Sequence, residues 1–276
     1  MLVRVALYTA VLPAFIAAIA LVVAWRLRAT RPADYWGPAV GLGLGYITGY
    51  LGILGWPMFP PLEATQWLFS IAVAGLTLGI AERWWRRHQS ITWTVRFLIA
   101  GAVSWVLLRP LMAYSWSPLV SVAWTTGFTA GSVGFWKIQQ RLDGYAAPRF
   151  HALLLTVLGT TESIVIGLSS SVALAQLQGV LTAAVAATLV VAWRFPRALD
   201  SLNAGIPLVS VLFVAHGAAA FFFAEMPAAS AVLLGLAPLG ALLAWRGRKN
   251  PRAMAAGLLA ALVLEAAAIA VVILRH

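Results

Sequence analysis

Three ionisable side chains lie inside long apolar stretches of this sequence. Glu162, His216 and Glu265 each come about a dozen residues after a basic or proline-containing connection. At about 1.5 Å per helical residue, this spacing places all three roughly 18 Å deep in a membrane. Ionisable groups at that depth are costly and are candidates for a functional site by default. Two carboxylates and an imidazole at one level predict a proton relay or a cation site, because imidazole titrates near neutral pH.

The surroundings of Glu162 are polar as well. The segment Gly159-Thr160-Thr161-Glu162-Ser163 is followed, in the next apolar stretch, by Gln176, Gln178 and Thr182. Threonine and serine can bond back to the preceding helical turn and glycine loosens it, so local unwinding around a ligand is expected here. We therefore predict that Glu162 is the central group, and that Thr160, Thr161 and Ser163 help to bind a proton, an ion or a substrate.

Two other interpretations of these residues stay open. If the three apolar stretches do not touch, each ionisable group is a lone polar side chain bonded to a neighbouring helix. Two glutamates and a histidine are also a plausible metal-ligand set. No HExxH or comparable close spacing supports a metal, however, and we predict neither a metal nor another cofactor.

The composition excludes a soluble protein. Of the 276 residues, 62% are hydrophobic and 10% are charged, whereas soluble domains are about 45–50% apolar and about 25% charged. The absence of cysteine rules out disulfides, thiolate metal sites and cysteine nucleophiles. No Ser-His-Asp triad can be assembled from this sequence. The histidines His88, His151 and His276 are predicted at or beyond the membrane interfaces, and the aspartates Asp34, Asp143 and Asp200 are predicted in turns. We expect that the protein is not an enzyme.

Hydropathy predicts an all-α protein, a polytopic bundle of about ten transmembrane helices in a single integral membrane domain, 1–276, without an extramembrane domain. Ser169-Ser170-Ser171 alone separates the sixth and seventh apolar stretches, so one broken span or a re-entrant hairpin is an alternative to two crossings. The predicted spans are 5–25, 37–56, 67–84, 93–113, 117–136, 150–170, 173–193, 204–224, 228–245 and 253–273.

Positive charge predicts the orientation. Most of the 19 lysines and arginines lie in the connections after odd-numbered spans, which should therefore be cytoplasmic in a multi-pass protein of the inner membrane. Both chain ends face outward if the number of spans is even. The net charge of +11 then favours anionic lipid headgroups as partners rather than nucleic acid. The basic residues of these connections are Arg26, Arg28, Arg31, Arg83, Arg86, Arg87, Arg96, Lys137, Arg141, Arg149, Arg194, Arg197, Arg246, Arg248, Lys249 and Arg252.

Tryptophan and glycine predict how the helices are placed. Each odd span ends on a tryptophan beside a basic residue, which predicts anchors at headgroup depth; the tryptophans are Trp25, Trp85, Trp136, Trp193 and Trp245. Spacings of four between glycines predict close helix contacts, at Gly41, Gly45 and Gly49, at Gly75 and Gly79, and at Gly127 and Gly131.

The chain also shows signs of internal repetition. Pro148-Arg149, Pro196-Arg197 and Pro251-Arg252 each precede an even span, which suggests a repeated helical hairpin of about 50 residues. A division into inverted halves, 1–137 and 138–276, rests on the span count alone.

Two functions fit these observations. The first is a proton- or cation-coupled secondary transporter or permease for a small solute, with Glu162 at its centre. The second is a non-catalytic scaffold subunit of a larger membrane complex. Its contact surfaces would be the glycine-rich helix faces and the proline-rich connection 56–63, and it would form a homo- or hetero-oligomer.

Overall fold

The structure is a computed structural model, and it describes residues 2–27, 36–85, 87–196, 199, 201–245 and 251–275. Within these residues the regular secondary structure is helical and no strand occurs. Several residues on which predictions were made lie outside the described ranges, namely Arg28, Arg31, Asp34, Arg86, Arg197, Asp200, Arg246, Arg248, Lys249 and His276.

Ten long helical runs follow one another along the described chain, each at the position of a predicted span. The first, α1, consists of Leu2–Ala6, a π-helical segment Leu7–Val11 and Leu12–Arg26. The others are α2 Gly37–Leu54, α3 Ala64–Trp85, α4 Gln89–Tyr114, α5 Pro118–Tyr145, α6 Pro148–Leu168, α7 Val172–Arg194, α8 Ile206–Phe223, α9 Ala228–Trp245 and α10 Pro251–Arg275.

Nine of these helices are long and apolar enough to cross a membrane, as judged on the described residues. The tenth, α5, has the length but not the hydropathy, because serine, threonine and glycine make up much of its first half. The three serines between α6 and α7 form a turn, with Ser170 at φ 80°, and both flanking helices are long enough to span. The chain is therefore an all-helical protein of the multi-pass membrane type.

Helix α8 lies at the centre of the bundle. It packs against α2, α3, α4, α5, α6, α7 and α9, and its sequence is apolar on every side, as expected of a fully enclosed helix. We call the end where α1, α3, α5, α7 and α9 finish the basic end, and the opposite end, which carries the 56–63 connection, the strap end.

The predicted glycine contacts are confirmed on two helices and wrong on the third. Gly41, Gly45 and Gly49 pack tightly on α1 and α7. Gly75 packs on Leu208 of α8, and Gly79 packs on Ala204, two residues before α8, and on Ala39 of α2. By contrast, a Cβ added at Gly127, Gly131 or Gly134 of α5 would meet nothing within 4 Å. The face of α5 that carries these three glycines is exposed.

This difference gives a matched pair of substitutions. A Cβ at position 75 would lie 2.8 Å from the Cα of Leu208, which belongs to the backbone of α8 and cannot rotate away. Gly75→Ala is therefore expected to lower the free energy of unfolding by about 1–3 kcal/mol. Gly131→Ala adds the same methyl group in open space and should not lower stability, because alanine favours a helix more than glycine does. Thermal unfolding in detergent measures both variants, and equal melting temperatures would contradict the packing of α3 on α8.

The expectation of tryptophan anchors is wrong for two of the five residues. Trp193 is exposed, but Trp136 and Trp245 are buried inside the bundle. The Nε1 of Trp245 donates a hydrogen bond to the carbonyl of Met254 at 3.0 Å. Trp136 lies nine residues before Tyr145, the last residue of α5, and its ring covers the guanidinium of Arg96.

Arg96 is the second correction at the basic end. Rather than lying in a connection, it lies within α4 and is 1% exposed. Its Nε and one terminal nitrogen donate to the two carboxylate oxygens of Glu82 at 2.6 and 2.7 Å, and its other terminal nitrogen donates to Gln140 at 2.8 Å. The indoles of Trp93 and Trp136 cover the guanidinium. The ion pair joins α3 to α4, and the hydrogen bond to Gln140 adds α5.

Two further residues that were placed at interfaces or in turns are also buried at this end. His151, in the first turn of α6, lies 2.8 Å from Gln139 through Nε2 and 3.5 Å from Asp143 through Nδ1. Asp143 also accepts a hydrogen bond from the backbone N–H of Leu202 at 2.8 Å. These contacts tie α5 and α6 to the segment that leads into α8.

Candidate functional site

Glu162 lies where α6 meets α7 and α8. Its side chain is 5% exposed, and its Oε2 accepts a hydrogen bond from the Nε2 of Gln178 on α7 at 2.8 Å. On the other side lies Gly217 of α8, where an added Cβ would come within 3.1 Å of the Oε1 of Glu162. The glycine therefore lets the carboxylate lie directly against the central helix.

Gln178 and Thr182 extend this site along α7. Gln178 is fully buried, and its Oε1 has no hydrogen-bond partner. Thr182, one turn later, donates to the backbone carbonyl of Gln178 at 2.8 Å. Its hydroxyl packs against Gly159 of α6, where a Cβ would collide with it. We call Glu162, Gln178 and Thr182 the Glu162 site; its side chains offer carboxylate, amide and hydroxyl oxygens, the ligands that hard cations prefer.

Glu265 contacts the same turn of α6 from another direction. It lies on α10, is 1% exposed, and accepts a hydrogen bond from Thr161 through Oε2 at 2.9 Å. Its Oε1 has no partner. Because Thr161 and Glu162 are consecutive, one turn of α6 holds both carboxyl groups, one towards α10 and the other towards α7 and α8. The sixth and tenth predicted spans thus touch at this level.

His216 is bonded to a different helix. Its Nδ1 lies 2.8 Å from the carbonyl oxygen of Leu212, which can only accept, so Nδ1 carries a hydrogen. In the neutral ring Nε2 then accepts from the hydroxyl of Tyr46 on α2, at 3.2 Å. Both ring nitrogens are therefore engaged away from the two carboxyl groups. The neighbouring Gly217, rather than the ring of His216, lies against Glu162.

Two of the other predicted site residues lie outside the Glu162 site. Thr160 is exposed and donates to the carbonyl of Thr156 at 2.8 Å. Ser163 donates to the carbonyl of Ala175 on α7 at 2.7 Å, so it joins two helices. Helix α6 runs without interruption from Pro148 to Leu168. The predicted unwinding around Glu162 is therefore not seen, and threonine and serine serve helix packing instead.

Three residues that contact this region could not be predicted from the sequence. Gly217 sits directly after His216, and a glycine beside an ionisable residue in an apolar helix was the available signal. Tyr46 pairs with His216 across 170 positions, and nothing in the sequence signals a contact over that separation. Thr9, in the π-helical segment of α1, has a buried hydroxyl without a partner and packs on Gly179. A π-helical turn carries no signal of this kind in sequence.

In the part of the chain that the structure describes, no basic side chain pairs with the carboxyl group of Glu162 or Glu265. Among the described residues, Glu82 pairs with Arg96, and a carboxylate oxygen of Asp143 lies 3.5 Å from Nδ1 of His151; both contacts are at the basic end. Within the same ranges, no three His, Cys, Asp or Glu side chains lie close enough together to hold a metal ion. Glu162 and Glu265 are thus bonded to an amide and a hydroxyl, neither of which carries charge.

Comparison with known proteins does not assign the chain to a family. No protein-family model matches the chain, and no curated protein matches its sequence. Function must therefore be argued from the site.

Proposed function

We propose that this protein is a secondary transporter for a small solute, coupled to protons or another small cation, with Glu162 as the coupling group. The observation that carries the proposal is that the carboxyl group of Glu162 is buried in an apolar bundle and hydrogen-bonded to Gln178, and that no cationic side chain of the described ranges pairs with it. A carboxylate without countercharge is costly in such surroundings. Binding a proton or cation removes this cost, and its release restores it.

Because the buried carboxylate without countercharge is costly, binding of an ion to it can change the conformation of the protein. A ligand shifts an equilibrium between two states only if it binds them with different affinity. An ion at Glu162 neutralises a group wedged between α6, α7 and the central helix α8, so its presence favours the state in which these helices are closed. Glu265 is attached to the same turn of α6 through Thr161, which couples α10 to the same event.

We further propose a topology of ten crossings, with the odd connections in the cytoplasm of a cell with an inner membrane. Helix α5 is the crossing that hydropathy does not support. It starts at the strap end after α4 and finishes at the basic end, where Lys137 and Arg141 are exposed. A crossing by α5 keeps the basic ends of all odd helices on one side, as the charge distribution favours.

The carrier proposal can be tested before any solute is known. The purified protein is reconstituted in liposomes on a solid support, and charge movement is recorded after a step in pH or in Na⁺ concentration. The expected result is a saturable transient current for at least one of the two ions, and none in empty liposomes. A protein that is inserted and monodisperse but gives no current with either ion would contradict ion coupling at Glu162.

One observation favours the second candidate, a scaffold subunit. The exposed glycines of α5, Gly127, Gly131 and Gly134, leave an open face of small side chains that could take a helix of another chain. Purification in a gentle detergent separates the two candidates. A scaffold should copurify with other subunits in fixed stoichiometry, whereas a carrier should appear as a monomer or homo-oligomer.

A further inference from the structure

We propose that the 56–63 connection inserts its apolar side chains into the lipid leaflet at the strap end, and so anchors α2 and α3 in the membrane. The sequence alone suggested that this connection is a contact surface for another protein chain. Three features favour lipid instead: the exposure of its side chains, the composition of its backbone, and its continuity with the lipid-facing surface of α2. The inference does not depend on the proposed carrier function.

The first feature is a set of four large apolar side chains that the bundle does not cover. Trp56 is 78% exposed, Met58 60%, Phe59 94% and Leu62 73%. A cluster of exposed apolar side chains of this kind marks a contact with a membrane or with another protein. All four lie within one connection of eight residues, so this connection has an apolar outer surface.

The second feature is a backbone that suits a medium poor in water. Pro57, Pro60 and Pro61 have no N–H group, so three of the eight residues bring no donor that would lose its water. The N–H of Leu62 donates to the Oε1 of Gln66, in the first turn of α3, at 2.8 Å. The remaining backbone groups can bond to headgroups and interfacial water. The connection is therefore expected at the boundary between headgroups and hydrocarbon rather than deeper.

The third feature is continuity with α2. This helix is long and apolar enough to cross a membrane, and Leu54 at its end is exposed. No Asp, Glu, Lys or Arg occurs from Gly37, where α2 begins, to Leu62. The ring of Trp56 packs on Phe69 of α3, with 5.9 Å between the ring centroids, which fixes the connection to the following helix as well. The apolar surface of the span thus runs into the connection without a charged boundary.

Lipid fits this surface better than a protein partner does. Specific protein interfaces have a polar rim, and their charged and polar groups set the orientation of the partner. From Trp56 to Leu62 the connection has no charged side chain. The first charged residue, Glu63, accepts a hydrogen bond from Thr65 of the same chain at 3.4 Å. Lipid needs no such contacts, and tryptophan is enriched where membrane meets water.

The depth of a spin label in liposomes tests the inference, and the lack of native cysteine allows single labels. Phe59→Cys is labelled with a nitroxide in the purified protein and reconstituted in phosphatidylcholine liposomes. Its collisions with oxygen, which concentrates in hydrocarbon, and with a neutral nickel chelate, which stays in water, are measured by electron paramagnetic resonance. The lipid control is Val263→Cys, 61% exposed within α10, and the water control is Gly144→Cys, exposed near the end of α5.

The ratio of oxygen to nickel collisions at position 59 is expected to be at least about twofold above that at position 144, and closer to that at position 263. Met58→Cys repeats the measurement if Phe59→Cys does not fold. A ratio equal to that at position 144 would place the connection in water and overturn the inference. Few collisions with either reagent would mean that protein covers the connection, which would overturn it in favour of a partner chain or a second copy. Since no ion is involved, either result leaves the carrier proposal to its own test.

Discussion

Glu162→Gln is expected to reduce the ion-induced charge movement of the reconstituted protein by at least about tenfold. Glutamine has nearly the same size as glutamate, and its amide oxygen can still accept the hydrogen bond from Gln178. The variant should therefore insert and pack as wild type does. It cannot carry the negative charge that a proton or cation neutralises, so the coupling event is lost while the structure is kept.

Neighbouring substitutions sharpen this result. Thr160→Val changes the residue two positions before Glu162 but on the exposed face, so its current should match that of wild type. Glu265→Gln removes the other carboxyl group, and the hydrogen bond from Thr161 can persist to the amide oxygen. If Glu162→Gln retains the full current while Glu265→Gln abolishes it, the coupling group has been assigned to the wrong helix. If both retain it, the carboxyl groups serve packing.

Arg96→Met is expected to lower the free energy of unfolding by about 3–5 kcal/mol, because it leaves a buried carboxylate without its partner. Glu82 is 7% exposed and receives two hydrogen bonds from the guanidinium. Methionine fills part of the space between Trp93 and Trp136 but supplies no charge. Unfolding of the purified protein by a denaturing detergent, followed by tryptophan fluorescence, measures the loss.

The control and the reciprocal change lie at the same end of the bundle. Arg83 is exposed and rests on the ring of Trp84, so Arg83→Met should cost less than about 1 kcal/mol. Adding Glu82→Gln to Arg96→Met removes the orphaned charge and should recover part of the stability. An Arg96→Met protein as stable as wild type would mean that the buried ion pair does not hold α3, α4 and α5 together.

The helices could be predicted from sequence because hydropathy is local. Apolar runs of membrane length and proline at helix starts, as at Pro148, place helices without any knowledge of what they touch. The agreement between predicted spans and helices follows from this, and so does the turn at Ser170. Helix α5 is the informative exception, since the serines, threonines and glycines of its first half lower its hydropathy without shortening it.

Pairing across helices could not be predicted in the same way. The sequence predicts that Arg96 is a basic residue near a membrane boundary. Its contact with Glu82, fourteen positions earlier, shows instead that it belongs to a buried ion pair. Glycine spacing does not distinguish Gly75, which touches α8, from Gly131, which touches nothing within 4 Å. The common depth predicted for Glu162, His216 and Glu265 rests on counting residues along each span. The direction of each side chain depends on helix rotation, which separates His216 from the carboxyl groups.

Access of water to the Glu162 site is the most direct test of the account, and the lack of native cysteine makes it straightforward. Single cysteines are introduced at Thr182, inside the site, and at Thr160, on the exposed face of α6, and are treated in membranes with a small charged methanethiosulfonate reagent. These reagents react with thiolate in water, so a carrier should show labelling at position 182 at a rate that changes with the coupling ion, and little at position 160. No labelling at position 182 from either side of the membrane, with or without the ion, would contradict a transport route through Glu162.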